Sequence, residues 1–194
     1  MPSSLPFISA ALTWIAVAPY LIDTIKGKTR PNIVTWFTWT LLTIINAIIA
    51  VNAGAWQTAV FSIGATLATG SIMVVGFTRG VKKYTHFDAI CQLLALCGIP
   101  LWLVTGQPAL AVFILMSIDF AGGLPTLRHA WKSPGEETWQ TFAISAFAGS
   151  LTVVSLSQYD FVSLTMPLYI TLFDTVVLCI ILYRRHTVKK VSNG

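Results

Sequence analysis

The stretch Pro19–Trp39 reads PYLIDTIKGKTRPNIVTWFTW. An apolar segment ends, a short basic loop follows, and a second apolar segment opens with Trp36 and Trp39. A weaker copy, GGLPTLRHAWKSPGEETWQTF, runs from Gly122 to Phe142. A shift of 103 positions pairs Pro31 with Pro134, Thr35 with Thr138, Trp36 with Trp139 and Thr38 with Thr141. The same shift pairs Leu12 with Leu115, Ile15 with Ile118, Ala18 with Ala121 and Leu21 with Leu124. The last four recur every third residue, along one side of a helix. Together these identities, without a gap, indicate an internal duplication, which has to be recognised before single segments are read.

Of the 194 residues, 55% are hydrophobic and 10% charged. A globular domain carries about one quarter charged residues. The composition is that of a polytopic all-α membrane protein, since a bilayer-crossing helix needs roughly 20 mostly apolar residues. Seven segments meet that need, over approximately 6–25, 33–53, 56–78, 87–105, 108–128, 138–156 and 161–183. The fourth has no copy elsewhere and is interrupted by Gly98 and Pro100. The expected organisation is therefore a three-helix repeat over 1–84, a linker helix over 85–106, and a second three-helix repeat with a basic tail over 107–194.

With this segmentation all twelve Lys and Arg fall on one side: Lys26, Lys28 and Arg30, then Arg79, Lys82 and Lys83, then Arg128 and Lys132, then Arg184, Arg185, Lys189 and Lys190. The positive side is cytoplasmic, so the N-terminus is expected outside and the C-terminus inside, in the inner membrane if the cell is prokaryotic. The net charge of +5 thus reflects topology, and no nucleic-acid partner is expected. Ala16-Val17-Ala18 resembles a cleavage site, but no basic stretch precedes it, so the first segment reads as a span rather than a signal peptide. Cys91, Cys97 and Cys179 match no zinc or redox spacing and read as packing residues. No cofactor or metal is expected.

Three helices end on the side opposite to where they began. One further helix restores the direction, so the two repeats run parallel and are related by an axis along the membrane normal. In this layout and in the Pro19–Trp39 stretch, the chain resembles the PQ-loop and SWEET proteins. Their Pro-Gln, Lys-Ser and hydroxyl-aromatic signature corresponds to Pro19-Tyr20, Lys28-Thr29 and Thr35-Trp36 in the first repeat. It corresponds to Pro125-Thr126, Lys132-Ser133 and Thr138-Trp139 in the second. Glutamine is absent from both Pro-Gln positions, and Pro125 lies three residues later than the shift of 103 places it. Helices 2 and 6 also lack the internal prolines of the sugar-carrying members. The resemblance implies a transporter working by alternating access, its substrate a sugar, an amino acid or a related small metabolite. The partners are then a solute and the lipid bilayer, with homo-oligomerisation left open.

Pro19 and Pro125 are the hinge candidates, because proline kinks a helix. Asp119 and Asp174 are mid-span. A charged Asp at the bilayer centre costs roughly 2.5–3.5 kcal/mol, so such residues tend to face a cavity or a partner. Neither has a Lys or Arg at its depth, and both are candidates for binding substrate or carrying a proton. The resemblance adds support for Asp174, since acidic residues of the seventh helix serve that purpose in some members. Trp36, Trp39, Thr43 and Asn46 share one helix face. Of these, Asn46 is assigned to the cavity, while Trp36 and Trp139 are assigned to the interfacial aromatic belt. Trp14 is a further lining candidate. Ser71 aligns with Asp174 under the shift and is expected across the cavity from it.

Two other classes fit less well. A retinal-type sensor needs a Lys in the last helix, and an intramembrane aspartic protease needs Gly-x-Gly-Asp; both are missing, so no enzyme is expected. A receptor that binds a peptide or small ligand without moving it is the alternative, since the ER retention receptor resembles this architecture.

Overall fold

The computed structural model describes residues 4–29, 31, 33–80 and 106–192, with isolated positions at 86, 89–90, 93 and 104. The described residues form helices α1 (Leu5–Ala16), α2 (Ala18–Ile25), α3 (Ile33–Asn52), α4 (Trp56–Arg79), α5 (Pro108–Lys132), α6 (Trp139–Ser155) and α7 (Phe161–Ser192), with a 3-10 turn at Pro134–Glu136 and no strand among them. The expected linker span over 87–105, with Gly98 and Pro100, lies outside the described residues apart from a few isolated positions. Five helical spans are long and apolar enough to cross a membrane: Leu5–Ile25, Thr35–Asn52, Trp56–Arg79, Pro108–Lys132 and Phe161–Val188. At 17 residues, α6 stands at the lower limit for a crossing.

Turn chemistry sets the boundaries. Gly27 follows α2 and Gly54 follows α3 at φ 74° and 71°, left-handed conformations that glycine adopts without strain. Inside the helices, hydroxyls turn back onto carbonyls one turn earlier, as in Thr13 to Ser9, Thr40 to Trp36 and Thr171 to Pro167. In an apolar layer this satisfies a polar group that has no water.

The first expected span is two helices. The ladder lapses at Val17, where the amide turns to the Trp14 carbonyl at 3.4 Å instead of continuing to the residue four back. Two residues on, Pro19 lacks an N–H and its ring crowds the Ile15 carbonyl, so a new helix starts. By contrast, α5 runs through Pro125 without interruption. The last helix extends nine residues beyond its expected end at 183. Arg184 donates to the Trp131 carbonyl at 2.9 Å and Arg185 to the Pro134 and Glu137 carbonyls at 2.8 and 2.6 Å, which hold this extension against the end of α5 and its loop.

The helices pack as two triplets. In the first, α4 lies between α1 and α3; in the second, α7 lies between α5 and α6. The triplets meet where α1 packs on α6 and α3 on α5. Each of these contacts becomes the other under the shift of 103. Ser9, near the start of α1, bonds Thr152 near the end of α6, while Thr29 after α2 meets Thr138 before α6. So α1 and α6 are antiparallel. Gln57 and Thr58, opening α4, reach Ser155 beside the start of α7 and Ser163 within it. The ends of α2, α4 and α5 gather at the Thr29–Thr138 end, where Gly80 lies against Pro31 and where Arg184 and Arg185 also sit. The described basic residues therefore cluster at one end of the bundle.

Polarity is inside-out relative to a water-soluble protein. Phe7, Trp14, Leu67, Phe77, Phe113, Phe147 and Val176 are exposed, while Asn46, Gln57, Asp119 and Asp174 are buried. Such a surface suits lipid. The apolar core joining the triplets is Leu42, Ile45 and Ile49 of α3 against Val112, Leu115 and Ile118 of α5.

Candidate functional site

A cavity lies between the triplets, with about 100 Å³ of room for the centres of water molecules. Every described helix except α2 contributes to its wall. Thr13 and Ala16 come from α1, Trp36, Trp39, Thr43 and Asn46 from α3, and Ser62, Ala65 and Thr69 from α4. From the second triplet come Asp119, Thr141, Phe142, Ser145, Phe173 and Asp174.

Three of the expected residues meet here. Asn46, Asp119 and Asp174 all line the cavity, at 2%, 6% and 8% exposure. The Tyr169 hydroxyl donates to the Asp119 carboxyl at 2.7 Å. The Ser145 hydroxyl lies beside Asp174, which is within electrostatic reach of Asp119. The Asn46 side-chain amide donates to the Ser62 hydroxyl at 2.7 Å. That bond uses the nitrogen end of the amide and leaves its oxygen without a partner.

The other expected residues stand elsewhere. Trp14 is half exposed on the outer surface, opposite the face of α1 that carries Thr13 and Ala16 to the cavity. Ser71 bonds the Leu67 carbonyl at 2.6 Å and is not in the cavity wall; Ser145 of α6 is the hydroxyl beside Asp174. Pro19 stands at the start of α2, where the first span breaks, and Pro125 within α5. Trp36, expected in the interfacial belt, is instead buried. Its ring meets Tyr20 at 5.1 Å and Trp39 at 5.0 Å, both edge-on, because α3 turns this aromatic stripe inward against α2 and α4.

Among the described residues, three buried side-chain atoms lack a hydrogen-bond partner: Trp39 Nε1, Asn46 Oδ1 and Thr141 Oγ1. All three residues line the cavity. An unmet buried polar atom costs about 1–3 kcal/mol, and here a donor, an acceptor and a hydroxyl carry that cost around one space. Such a wall can take a polar solute, or waters, by supplying the missing partners.

Both ends of the cavity are bridged between the triplets. At the basic end, Thr138 donates to Asp23 at 3.1 Å and its hydroxyl lies 3.4 Å from that of Thr29. At the other end, Thr58 donates to the Ser163 carbonyl at 2.6 Å and Gln57 bonds Ser157. No family model, curated protein or solved structure matches the chain.

Proposed function

We propose that the protein is a small-solute membrane transporter working by alternating access between its two helix triplets. The observation that carries this reading is the cavity at their interface, lined by the three residues with unpartnered polar atoms and by two aspartates. Cross-triplet hydrogen bonds at both ends give the arrangement two gates. Asp119 and Asp174 are assigned to solute binding and proton coupling, and Asn46 to solute binding. The break before Pro19 is assigned as the hinge of the first triplet, with Pro125 its counterpart. Seven crossings complete the scheme, residues 87–105 supplying the fourth, with the basic end cytoplasmic. The layout resembles that of the PQ-loop and SWEET proteins.

Reconstitution into proteoliposomes tests this. A panel of sugars, amino acids, amines and vitamins, with and without a pH gradient, should include a solute that shows net uptake. A solute that binds without net flux would make the chain a receptor and remove the transporter reading.

A further inference from the structure

The cavity is chemically lopsided. Asp119 and Asp174 stand on α5 and α7 of the second triplet, and among the described residues no Lys, Arg or His lines the space. A charged ligand in an apolar slab needs its counter-charge from the wall. A sugar needs only hydrogen bonds and makes no use of the charge that two carboxylates can offer. A free amino acid brings a carboxylate of its own, which would meet like charges and no cation. A small organic cation without a carboxylate meets neither objection. The acidic pair does not stand alone: the Asn46 acceptor, on a side chain 2% exposed, is also unpartnered at this wall.

Resting on the cavity as the solute site, we propose that its ligand is a small amine without a carboxylate: one or two ammonium or guanidinium groups on a short apolar stem. Its N–H groups reach an aspartate and the free oxygen of Asn46. Trp39, Phe142 and Phe173 line the same space, an aromatic wall for its stem and its charge. At roughly 10–15 Å³ of such volume per water molecule, about 100 Å³ suits a ligand of about ten heavy atoms or fewer.

A proton competes with this cation for the same carboxylates. The titratable groups facing Asp119 are Tyr169 and Asp174, both on α7, and those facing Asp174 are Asp119 and Tyr169. The lining contributed by α1, α3, α4 and α6 is uncharged. Affinity for the amine therefore falls as the pH falls.

The test uses matched pairs that differ by one carboxylate: cadaverine against lysine and agmatine against arginine. Binding to the full chain in lipid nanodiscs is measured by titration calorimetry at pH 7.5 and 5.5. Each amine should bind at least tenfold more tightly than its amino acid and weaken several-fold at the lower pH. Asp174→Asn should weaken amine binding about tenfold or more, while Trp14→Ala, on the outer surface, should leave it unchanged. Lysine or arginine binding as tightly as its amine would overturn the proposal, as would a folded chain that binds neither amine. Amine binding without net flux would leave this inference standing and remove the transporter reading. Flux of a neutral solute without amine binding would do the reverse.

Discussion

Asp160 immediately precedes α7 and holds its first turn. One carboxylate oxygen accepts the Val162 and Ser163 amides at 3.0 and 3.1 Å, and the other accepts the Ser163 hydroxyl at 2.6 Å. The Ser163 hydroxyl, with those amides, holds this carboxyl below the usual carboxylate range. A depressed folded value means the stabilisation is present above the unfolded pKa of about 4 and is lost as the pH falls through the folded value. Asp160→Ala should therefore lower thermal stability at pH 7 by the cost of a cap, about 0.5–2 kcal/mol. The difference from the parent chain should shrink near pH 3, and a gap constant with pH would refute the charged cap. The cavity residues were unequally legible. Asn46, Asp119 and Asp174 stand out because polar groups inside apolar runs are expensive. Thr141 does not, since a helical hydroxyl ordinarily bonds its own backbone, as Thr40 and Thr171 do. Ser145 was equally hidden. The shift of 103 pairs Asp174 with Ser71, yet the contact is made across helices, from α6 to α7, and alignment within one helix carries no information about that.

At the scale of elements, close helix crossings are set by glycine. A Cβ at Gly64 of α4 would lie 2.6 Å from the Ala10 carbonyl oxygen of α1, a backbone contact that cannot swing away. A Cβ at Gly122 of α5 would meet nothing within 4 Å. Gly64→Ala should therefore destabilise by about 1–3 kcal/mol through overpacking. Gly122→Ala should be neutral or stabilising by up to about 1 kcal/mol from helix propensity. Thermal unfolding in detergent, followed by size exclusion, distinguishes the two, and equal effects would contradict the α1–α4 crossing. Helix existence was readable from apolar runs and turn glycines, and most boundaries followed within a few residues. The break at Val17 was readable only as a proline. Pro19 interrupts its helix while Pro125 does not, a difference that residue type alone does not foretell. The length of α7 escaped because its extension is held by Arg184 and Arg185 on loop carbonyls, contacts that hydropathy does not register.

For the whole molecule, the two triplets repeat one packing order, and the contacts between them exchange under the same shift that aligns their sequences. That symmetry is legible in Pro19–Trp39 and its copy, because matching loops impose matching helix directions. The chemistry is not symmetric: Asp119 and Asp174 correspond to Ala16 and Ser71. One triplet carries the charge and the other supplies neutral partners, which a sequence shows only once the cavity is known. In the proposed mechanism the triplets move against each other around this cavity, and Thr29 and Thr138 stand where that motion can be blocked. Their hydroxyls lie 3.4 Å apart across the triplets at the basic end, within reach of a disulfide. Thr29→Cys with Thr138→Cys, in a chain whose Cys91, Cys97 and Cys179 are replaced by Ala, is to be reconstituted and its solute uptake measured oxidised and reduced. The crosslink should abolish uptake and reductant should restore it, with ligand binding retained. Undiminished uptake with the crosslink fully formed would contradict this mechanism.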